Sequence, residues 1–446
     1  MVAEDGILED ADVLIEDGLI KDVGRRLPEA AEVLDARGHY VLPGAVDPHV
    51  HTTQAGVSLN EPMLDDLEEA SRTALLGGAT TICAYAQRIP GHDLLEMIDR
   101  QVAFGARAAY GDFAINALCL GGDDVVDVVG TGRRALGVRM FKALLAYNSR
   151  GLMMEDDQLL RMMRMAATVD ATVLVHAENG RVIDCLEHLV RERGDVTDDD
   201  LLACAPPELE AEGIVKTAML ARLTGARVLF VHLTSRLGRD ALTWARSLPG
   251  GERISVETQP HYALLTNQAV QDRGALAKVG PVLKEEADRE AVREALANGE
   301  ISHLSSDHSA RDSHVKLAAA HILDAPYGGI SGTELLLALA WKLGIHDGLF
   351  DVVRLAKLVS TNAAKRYGLY PRKGSIRRGA DGDLALVPIE GEPKVISPVN
   401  LHMKSDYSLY EGFRSAGFPA FVVKQGRVAV AEGALVSRPH GRYVHA

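Results

Sequence analysis

The sequence predicts an α/β protein in which a barrel of eight parallel strands carries a small β domain built from both ends of the chain. Two observations lead to this prediction. Through the middle of the 446 residues, apolar β-rich runs alternate with amphipathic stretches, the pattern of a parallel sheet covered by helices. Both ends of the chain instead hold short apolar segments separated by Asp-Gly and Arg-Gly pairs, which favour antiparallel strands joined by tight turns.

The terminal segments set the predicted domain boundaries. Near the N-terminus the candidate strands are residues 11–18, 19–24, 31–38 and 39–44. Near the C-terminus they are residues 374–379, 380–388 and 419–436. We therefore predict a small β-sandwich domain from residues 1–45 plus 373–446, and a catalytic barrel domain from residues 46–372.

Eight apolar runs lie between these ends, and amphipathic segments such as residues 65–78 and 213–225 separate most of them. The runs are residues 44–51, 79–85, 113–120, 135–142, 171–178, 226–233, 253–258 and 301–308. Eight such β/α units predict a (β/α)8 barrel, also called a TIM barrel. Active sites of these barrels lie at the C-terminal ends of the strands, so functional residues are expected there.

Composition and charge exclude several classes of protein. Lys and Arg total 48 and Asp and Glu total 62, a net charge of −14 that disfavours nucleic acid and anionic lipid as partners. No apolar run approaches the ~20 residues that span a bilayer, and the acidic N-terminus is unlike a signal peptide. The four cysteines form no CxxC pair. We therefore predict a cytoplasmic protein whose partner is a small molecule.

Four histidines lie at the ends of three predicted strands, and these strand ends fall at equivalent places in the barrel. His49 and His51 are two residues apart on the first strand, so their side chains share a face and can bind one ion together. His176 and His232 end the fifth and sixth strands, and Asp307 ends the eighth. One such histidine is usually a packed core residue. Four at matching positions predict a metal site.

Lys142 ends the fourth predicted strand among these groups. Taken alone, it is best interpreted as a buried lysine paired with an acid such as Asp307. An ammonium cannot bind a cation, and beside two divalent ions its charged form is strongly disfavoured. The deprotonated amine could add CO₂ and become a carbamate, an anion able to bridge two ions. The surrounding histidines favour this second interpretation.

Eight motifs occur in a fixed order along nearly the whole chain. They are VLPGAVDPHVH (41–51), MFKALLAY (140–147), VLVHAENG (173–180), VHLTSR (231–236), VETQPHY (256–262), SSDH (305–308), LVSTNAAKRYGLYPRKGSI (358–376) and GADGDLAL (379–386). This ordered set resembles the amidohydrolase superfamily and, within it, the dihydropyrimidinase/hydantoinase branch of cyclic amidohydrolases.

The resemblance implies an enzyme with two divalent metal ions per chain, usually Zn²⁺. His49 and His51 would bind the more buried ion, and Asp307 would complete its ligand set. His176 and His232 would bind the other ion. Lys142, carboxylated by CO₂ to N6-carboxylysine, would bridge them. A hydroxide between the ions would attack the ring carbonyl, and Asp307 would pass its proton to the leaving nitrogen.

The resemblance also implies a catalytic phenol. Tyr147 lies five residues after Lys142, where the K-x-F-x-A-Y pattern of hydantoinases has a tyrosine, although Leu144 replaces the phenylalanine. Tyr147 would polarise the carbonyl oxygen and contact the substrate. The alternative is a core tyrosine whose hydroxyl bonds to backbone.

Two positions of the substrate pocket depart from the hydantoinase pattern. Gly280 replaces the usual serine before the proline, and Tyr327 stands where an asparagine usually lies in a loop whose backbone contacts the substrate. We expect both positions to line the substrate site. These changes weaken the prediction of a particular ring but not of a cyclic amide.

Hydantoin and dihydropyrimidine rings are the leading substrates, and several sister activities are alternatives. Allantoinases, and other cyclic imide or ureide hydrolases, come next; allantoinases usually lack the tyrosine that Tyr147 represents. Dihydroorotases have an arginine where this chain has Thr53, which disfavours dihydroorotate as the substrate.

Two other classes of protein are also alternatives. Non-enzymatic relatives of dihydropyrimidinase have lost metal ligands, and mononuclear deaminases lack the lysine that ends strand four. All six ligand positions are present here, which argues against both of these classes.

The family further implies a homo-oligomer, tetramer or dimer. Its members carry an additional strand before the residues that match Val2–Gly6, so we expect this chain to start short and leave a sheet edge open.

Overall fold

The computed structural model describes residues 1–28, 30–54 and 63–445. Its strands, numbered in chain order, are β1 (Val2–Ala3), β2 (Gly6–Ile7), β3 (Asp12–Glu16), β4 (Leu19–Gly24), β5 (His39–Pro43), β6 (Ala45–Val50), β7 (Ala79–Gln87), β8 (Asp112–Cys119), β9 (Met140–Leu144), β10 (Thr172–His176), β11 (Arg227–Phe230), β12 (Ile254–Thr258), β13 (His303–Leu304), β14 (Leu384–Pro388), β15 (Lys394–Val395), β16 (Arg414–Ser415), β17 (Phe421–Lys424), β18 (Arg427–Ala431) and β19 (Ala434–Leu435).

The α-helices are α1 (Leu67–Leu76), α2 (Leu94–Ala108), α3 (Val125–Ala135), α4 (Asp156–Thr168), α5 (Gly180–Arg193), α6 (Asp200–Cys204), α7 (Pro207–Thr224), α8 (Arg236–Ser247), α9 (Pro260–Leu264), α10 (Gln268–Arg273), α11 (Glu286–Asn298), α12 (Ser313–Leu317), α13 (Leu336–Trp341), α14 (Val352–Ala356) and α15 (Asn362–Arg366). Within the described ranges, no helix combines the length and the apolar composition needed to cross a membrane.

Strands β6 to β13 form one parallel sheet in which each strand neighbours the next along the chain. The sheet closes on itself, because Val50 pairs with His308 in a parallel bridge and the His51 N–H donates to the His308 carbonyl at 2.7 Å. Helices follow every strand of the barrel. The predicted (β/α)8 barrel is therefore confirmed.

The barrel strands are apolar on both faces, because one face lines the barrel interior and the other meets the helices. On β7, Cys83 and Tyr85 belong to the cluster that fills the interior, whereas Ile82 and Ala84 belong to the larger cluster beneath the helices. Successive side chains of a strand point to opposite faces. Strands buried on both sides therefore appear in sequence as continuous apolar runs.

Local sequence explains where several helices start and stop. Aspartates 66, 93 and 124 precede α1, α2 and α3, and each carboxylate accepts a hydrogen bond from the backbone N–H three residues later. This cap satisfies an N–H that lacks a partner within the helix. Helix α7 ends at Thr224 and is capped by Gly225, whose φ of 74° lies in the left-handed region that favours glycine.

A second sheet combines both termini, in the strand order β19-β18-β17-β14-β5. N-terminal β5 pairs antiparallel with C-terminal β14 from Pro43↔Leu384 to His39↔Pro388. The β3-β4 hairpin packs on this sheet through an apolar cluster that includes Val13, Ile15 and Val423. The sheet agrees with a β-sandwich part built from both ends, while the exact division at residues 1–45 plus 373–446 and 46–372 stays a prediction.

Three predicted segments differ from the structure. Residues 31–38 form no strand, and Val33 among them is 84% exposed, so its apolar side chain does not pack on a sheet. Residues 374–379 also lack strand structure. The fourth barrel strand starts at Met140 rather than at residue 135, since α3 runs to Ala135 and Gly137 then takes a φ of 72°.

A buried charge cluster joins the barrel to the small sheet. Lys373 Nζ lies 2.5 Å from Asp112 Oδ2 on β8, 2.8 Å from Asp381 Oδ2 and 2.5 Å from Asp383 Oδ2. Lys424 Nζ also contacts Asp112, at 2.7 Å. Burial alone would raise the pKa of Asp112, but the two lysines outweigh it and hold the pKa well below its usual range. A lysine, rather than a metal ion, thus fills this group of three aspartates.

Candidate active site

The C-terminal rim of the barrel gathers the first three predicted ligands around one point. His49 Nε2 lies 3.0 Å from Asp307 Oδ1, and His51 Nε2 lies 3.4 Å from the same oxygen. The ligand atoms of these three residues all fall within 4.8 Å of one another. Two imidazoles and a carboxylate at this spacing fit the donor set of a divalent transition metal such as zinc.

The other two predicted histidines adjoin this group. The ring centroids of His176 and His232 are 4.4 Å apart, and His232 lies 6.0 Å from His49. Lys142 Nζ lies 2.8 Å from His49 Nε2 and 4.7 Å from the ring centroid of Tyr85. All six predicted ligand positions therefore meet at one rim of the barrel.

Lys142 has no carboxylate ion-pair partner among the described residues. Burial lowers the pKa of Lys142 to about 8, even though the more distant Asp307 and Glu257 oppose this shift. The interpretation of Lys142 as a lysine paired with Asp307 is therefore not supported by the contacts of its Nζ.

The structure corrects the expectation that these residues end their strands. His176 does end β10, but Lys142 lies within β9, His232 is two residues past β11, and Asp307 is three past β13. His232 and Asp307 have φ values of 46° and 49°, in the left-handed region where a non-glycine residue is strained. This backbone turn ends the sheet ladder early and directs both side chains into the barrel mouth.

Glu257 on β12 orients His49 and was missed by sequence reasoning. Its Oε1 lies 2.5 Å from His49 Nδ1, and its Oε2 lies 2.9 Å from His303 Nε2. Burial alone would raise the pKa of Glu257, but the two histidines outweigh it and lower the pKa to about 2. A carboxylate at Nδ1 fixes the tautomer that leaves His49 Nε2 facing Asp307 and Lys142. The motif VETQPHY contains this glutamate, and its buried strand position was the available signal.

Tyr147 projects into the same region from the segment after β9. Its ring centroid lies 5.1 Å from that of His176 and 5.2 Å from that of Tyr327. Burial raises the pKa of Tyr147 well above its usual range, so its hydroxyl stays protonated. Among the described residues, the hydroxyl has no hydrogen-bond partner, and because Tyr147 is half-buried at the cavity wall its hydroxyl can meet a bound molecule there.

Gly280 and Tyr327 both lie against Tyr147. A Cβ added at Gly280 would fall 2.3 Å from the Tyr147 hydroxyl oxygen and 3.1 Å from Tyr327 Cδ1. Because glycine has no side chain, the hydroxyl of Tyr147 can occupy the space beside residue 280. The Tyr327 carbonyl accepts a hydrogen bond from Arg311 Nε at 3.1 Å, and its hydroxyl lies 3.4 Å from Glu187 Oε1.

These groups open onto one cavity of about 430 Å³. It is lined by all the predicted site residues except the fully buried His49, and also by residues that sequence reasoning did not single out, chiefly Arg88, Arg150 and Arg311. The structure thus brings the phenol, Gly280, Tyr327 and all the predicted ligands except His49 together around one open cavity that can hold a small molecule.

Comparison with known proteins agrees with this geometry. A model of the amidohydrolase family matches residues 40–429. The chain is 32% identical to a D-hydantoinase of Ralstonia pickettii over 98% of this chain and 95% of that protein. It is 35% identical to an allantoinase of Rubrobacter xylanophilus, again over 98% and 95% of the two chains. A solved D-hydantoinase structure superposes with a TM-score of 0.93 at 31% identity, covering 99% of this chain and 96% of the other.

Proposed function

The chain belongs to the amidohydrolase family, and from this premise we propose that it opens the ring of a hydantoin or a dihydropyrimidine. It is a metal-dependent cyclic amidohydrolase, as the family match and the D-hydantoinase and dihydropyrimidinase relatives indicate. The observation that carries the choice of ring is Tyr147. Its protonated hydroxyl lies in the same cavity as His51, His176 and His232 and makes no hydrogen bond to a described residue.

Two divalent ions, which we take to be Zn²⁺, would be held by the residues gathered at the barrel rim. The proposed ligands are His49, His51 and Asp307 for the more buried ion and His176 and His232 for the other, with Lys142 between them as a carbamate formed with CO₂. The 4.8 Å limit on the ligand atoms of the first group supports this assignment. When bound, such ions lower the pKa of water and polarise a carbonyl oxygen.

The side chains of the chain itself supply proton transfer and orientation. Asp307, as a carboxylate, accepts the proton of the attacking water and delivers it to the ring nitrogen that leaves. Tyr147 donates a hydrogen bond to the carbonyl oxygen as negative charge develops there. Gly280 and the Tyr327 backbone form the adjoining wall of the substrate site, where they set the room available to the ring.

Allantoin hydrolysis is the second candidate, because the Rubrobacter xylanophilus allantoinase is 35% identical to this chain. Tyr147 favours the hydantoinase branch, since allantoinases usually lack it. Other cyclic imides or ureides follow. Thr53 continues to disfavour dihydroorotate, and the intact set of six ligand positions disfavours a non-enzymatic scaffold.

A substrate panel tests the proposal directly. Metal-replete enzyme is mixed with substituted hydantoins, dihydrouracil, allantoin, dihydroorotate and a simple cyclic imide, and ring opening is followed by the loss of ring-amide absorbance. We expect the highest kcat/KM among the hydantoins and dihydrouracil, and nearly none with Lys142→Ala. Highest activity on allantoin would transfer the assignment to the second candidate.

For the molecule as a whole, we propose a cytoplasmic homo-oligomer, either a tetramer or a dimer. All four cysteines are free thiols, the form that a reducing compartment maintains. Light scattering on purified protein measures the assembly, with about four times the 48.0 kDa chain mass expected for the tetramer.

A further inference from the structure

Glu178 is a buried acid beside the metal-site histidines that has no part in the chemistry proposed above. It follows His176 by two residues, just beyond the end of β10, and only 4% of the residue is exposed. Its Oε2 lies 2.7 Å from His176 Nε2. A carboxylate is rarely buried unless a partner compensates for the lost contact with water, so its contacts indicate what it does.

The two oxygens of Glu178 have different surroundings. Oε2 makes the hydrogen bond with His176, whereas Oε1 accepts no hydrogen bond from the residues that the structure describes. Lys284 Nζ lies 3.9 Å from Oε1 and donates its hydrogen bond to the Ala205 carbonyl. Lys284 therefore supplies a nearby positive charge, and the hydrogen bonding of Glu178 is directed to the histidine.

A similar contact occurs at another histidine of the metal site, but on the opposite ring nitrogen. Glu257 contacts Nδ1 of His49, which leaves Nε2 free to bind an ion. Glu178 contacts Nε2 of His176, so Nδ1 is the nitrogen left for an ion. A carboxylate holds the proton of an imidazole on the nitrogen that it contacts, and the other nitrogen keeps its lone pair.

The orientation of the His176 ring matters to both of its neighbours. Its centroid lies 4.4 Å from that of His232, the other proposed ligand of the same ion, and 5.1 Å from that of Tyr147. Without the carboxylate, the ring can rotate or change its tautomer. A protonated nitrogen would then face the ion site for part of the time, which weakens binding.

We propose that Glu178 is a positioning residue for the second ion. It holds His176 through Nε2, so that Nδ1 faces the ion that His232 also binds. This inference rests on the proposed metal-dependent function and its two ions. It gives Glu178 a role in metal affinity that is separate from the steps of ring opening.

Metal affinity measured without substrate tests the proposal. Competition for Zn²⁺ with a coloured chelator gives the affinities of the two ions, and His176→Ala identifies the ion that depends on this histidine. Glu178→Gln keeps the length of the side chain and removes its charge. It should weaken that ion by about 10–100-fold and leave the affinity of the other within about threefold, since the contact is to one histidine only.

A double-mutant cycle assigns the loss to His176. In a His176→Ala background, Glu178→Gln should cause little further loss of affinity, because the side chain through which it acts is gone. Glu192→Gln is the matched control, since it removes the acid of an exposed pair with His188. It should change neither affinity.

A second variant keeps the test valid if Glu178→Gln does not fold. Glu178→Asp retains a charge near Lys284 but is one methylene shorter, so it should not reach the imidazole. It should weaken the same ion as His176→Ala does. Melting temperatures confirm that each variant is folded before its affinities are compared.

The outcomes separate this inference from the function on which it rests. Wild-type affinities in the folded Glu178 variants, equal losses at both ions, or additive losses in the cycle overturn the role of Glu178 and leave ring hydrolysis in place. Failure of metal-replete wild-type enzyme to open any ring in the panel overturns the proposed function, while the affinities still report on Glu178.

Discussion

At the scale of single residues, removing the hydroxyl of Tyr147 tests whether this side chain takes part in catalysis or only packs. Tyr147→Phe keeps the ring contacts with His176 and Tyr327 but removes the hydrogen-bond donor. We expect kcat to fall by about 10²–10³, since removing one donor to a developing oxyanion commonly has this effect. KM should change less, because the bond strengthens mainly in the transition state.

Steady-state kinetics on metal-replete enzyme measure this effect, with metal content and melting temperature as controls. Turnover within a few fold of wild type would remove Tyr147 from the catalytic site and make it a packing residue.

Gly280 leads to a second prediction, because its missing side chain leaves room for the same hydroxyl. In Gly280→Ala the new Cβ would lie 2.3 Å from the Tyr147 hydroxyl oxygen, so the phenol must shift. We expect kcat to fall by about 10–10², because the shifted hydroxyl no longer reaches the developing oxyanion. In a Tyr147→Phe background the same substitution should have a much smaller effect on kcat, since the oxygen that lies nearest to the new Cβ is gone.

A double-mutant cycle of kcat measures this coupling. Gly6→Ala, where a Cβ would meet no atom within 4 Å, is the control. Additive effects of Gly280→Ala and Tyr147→Phe would contradict the proposed contact.

Glu257 gives a third prediction, which concerns metal affinity rather than turnover. Glu257→Gln removes the charge between His49 and His303 while keeping the side-chain shape. We expect metal affinity to fall by about 10–100-fold, as is typical when the partner of a metal-binding histidine is changed. Competition with a coloured chelator measures the affinity. Glu300→Gln, at the surface beside Arg239, is the control, and equal affinities in both variants would count against an orienting role.

The residues of the site divide into those that sequence could predict and those it could not. His49 and His51 were accessible because spacing within one strand places them together. Glu257 was not, because it meets His49 across 208 residues of sequence. Arg150 and Arg311 come from loops whose approach depends on barrel closure, and apolar periodicity carries no information about such loops.

At the scale of elements, the eight predicted strands all correspond to β6–β13, because a strand buried on both faces leaves a continuous apolar run. Their ends were less accurate. The apolar run predicts one strand through residue 233, but β11 ends at Phe230 since His232 adopts a positive φ. A strained backbone at a functional residue is set by tertiary contacts, which local propensity cannot reveal.

The junction between β8 and the small sheet gives a fourth prediction. Lys373→Met would leave the carboxylates of Asp112, Asp381 and Asp383 buried without their shared partner. We expect the free energy of unfolding at neutral pH to fall by about 3–5 kcal/mol. Lys365→Met, which breaks an exposed pair with Glu4, should cost at most about 1 kcal/mol. Urea denaturation measures both, and equal losses would contradict the role of the junction.

The same junction determines a pH dependence. The pKa of Asp112 is depressed in the folded protein, so its stabilisation is complete above the unfolded carboxyl value of about 4 and is lost as pH falls below it. The urea midpoint of the wild-type protein should therefore fall as the pH is lowered from 7 to 3. The fall should be smaller in Lys373→Met, in which the main cation that depresses this pKa is absent.

At the scale of the whole molecule, the metal content can also be predicted. Elemental analysis of protein purified without chelator should give close to two divalent ions per chain. Chelation should abolish turnover, and Zn²⁺, Co²⁺ or Mn²⁺ should restore part of it. One ion or none per chain in fully active enzyme would contradict the binuclear site.

The pairing of β5 with β14 also constrains how the protein is made. Residues 39–43 leave the ribosome early, whereas their partner strand begins at Leu384, about 340 residues later. At roughly 5–20 residues per second, translation needs on the order of 17–70 s to supply that partner. During this interval the apolar N-terminal strand has an open edge, which is a hazard for aggregation. Nascent chains of this enzyme should therefore depend on chaperone binding near their N-terminus until synthesis is almost finished.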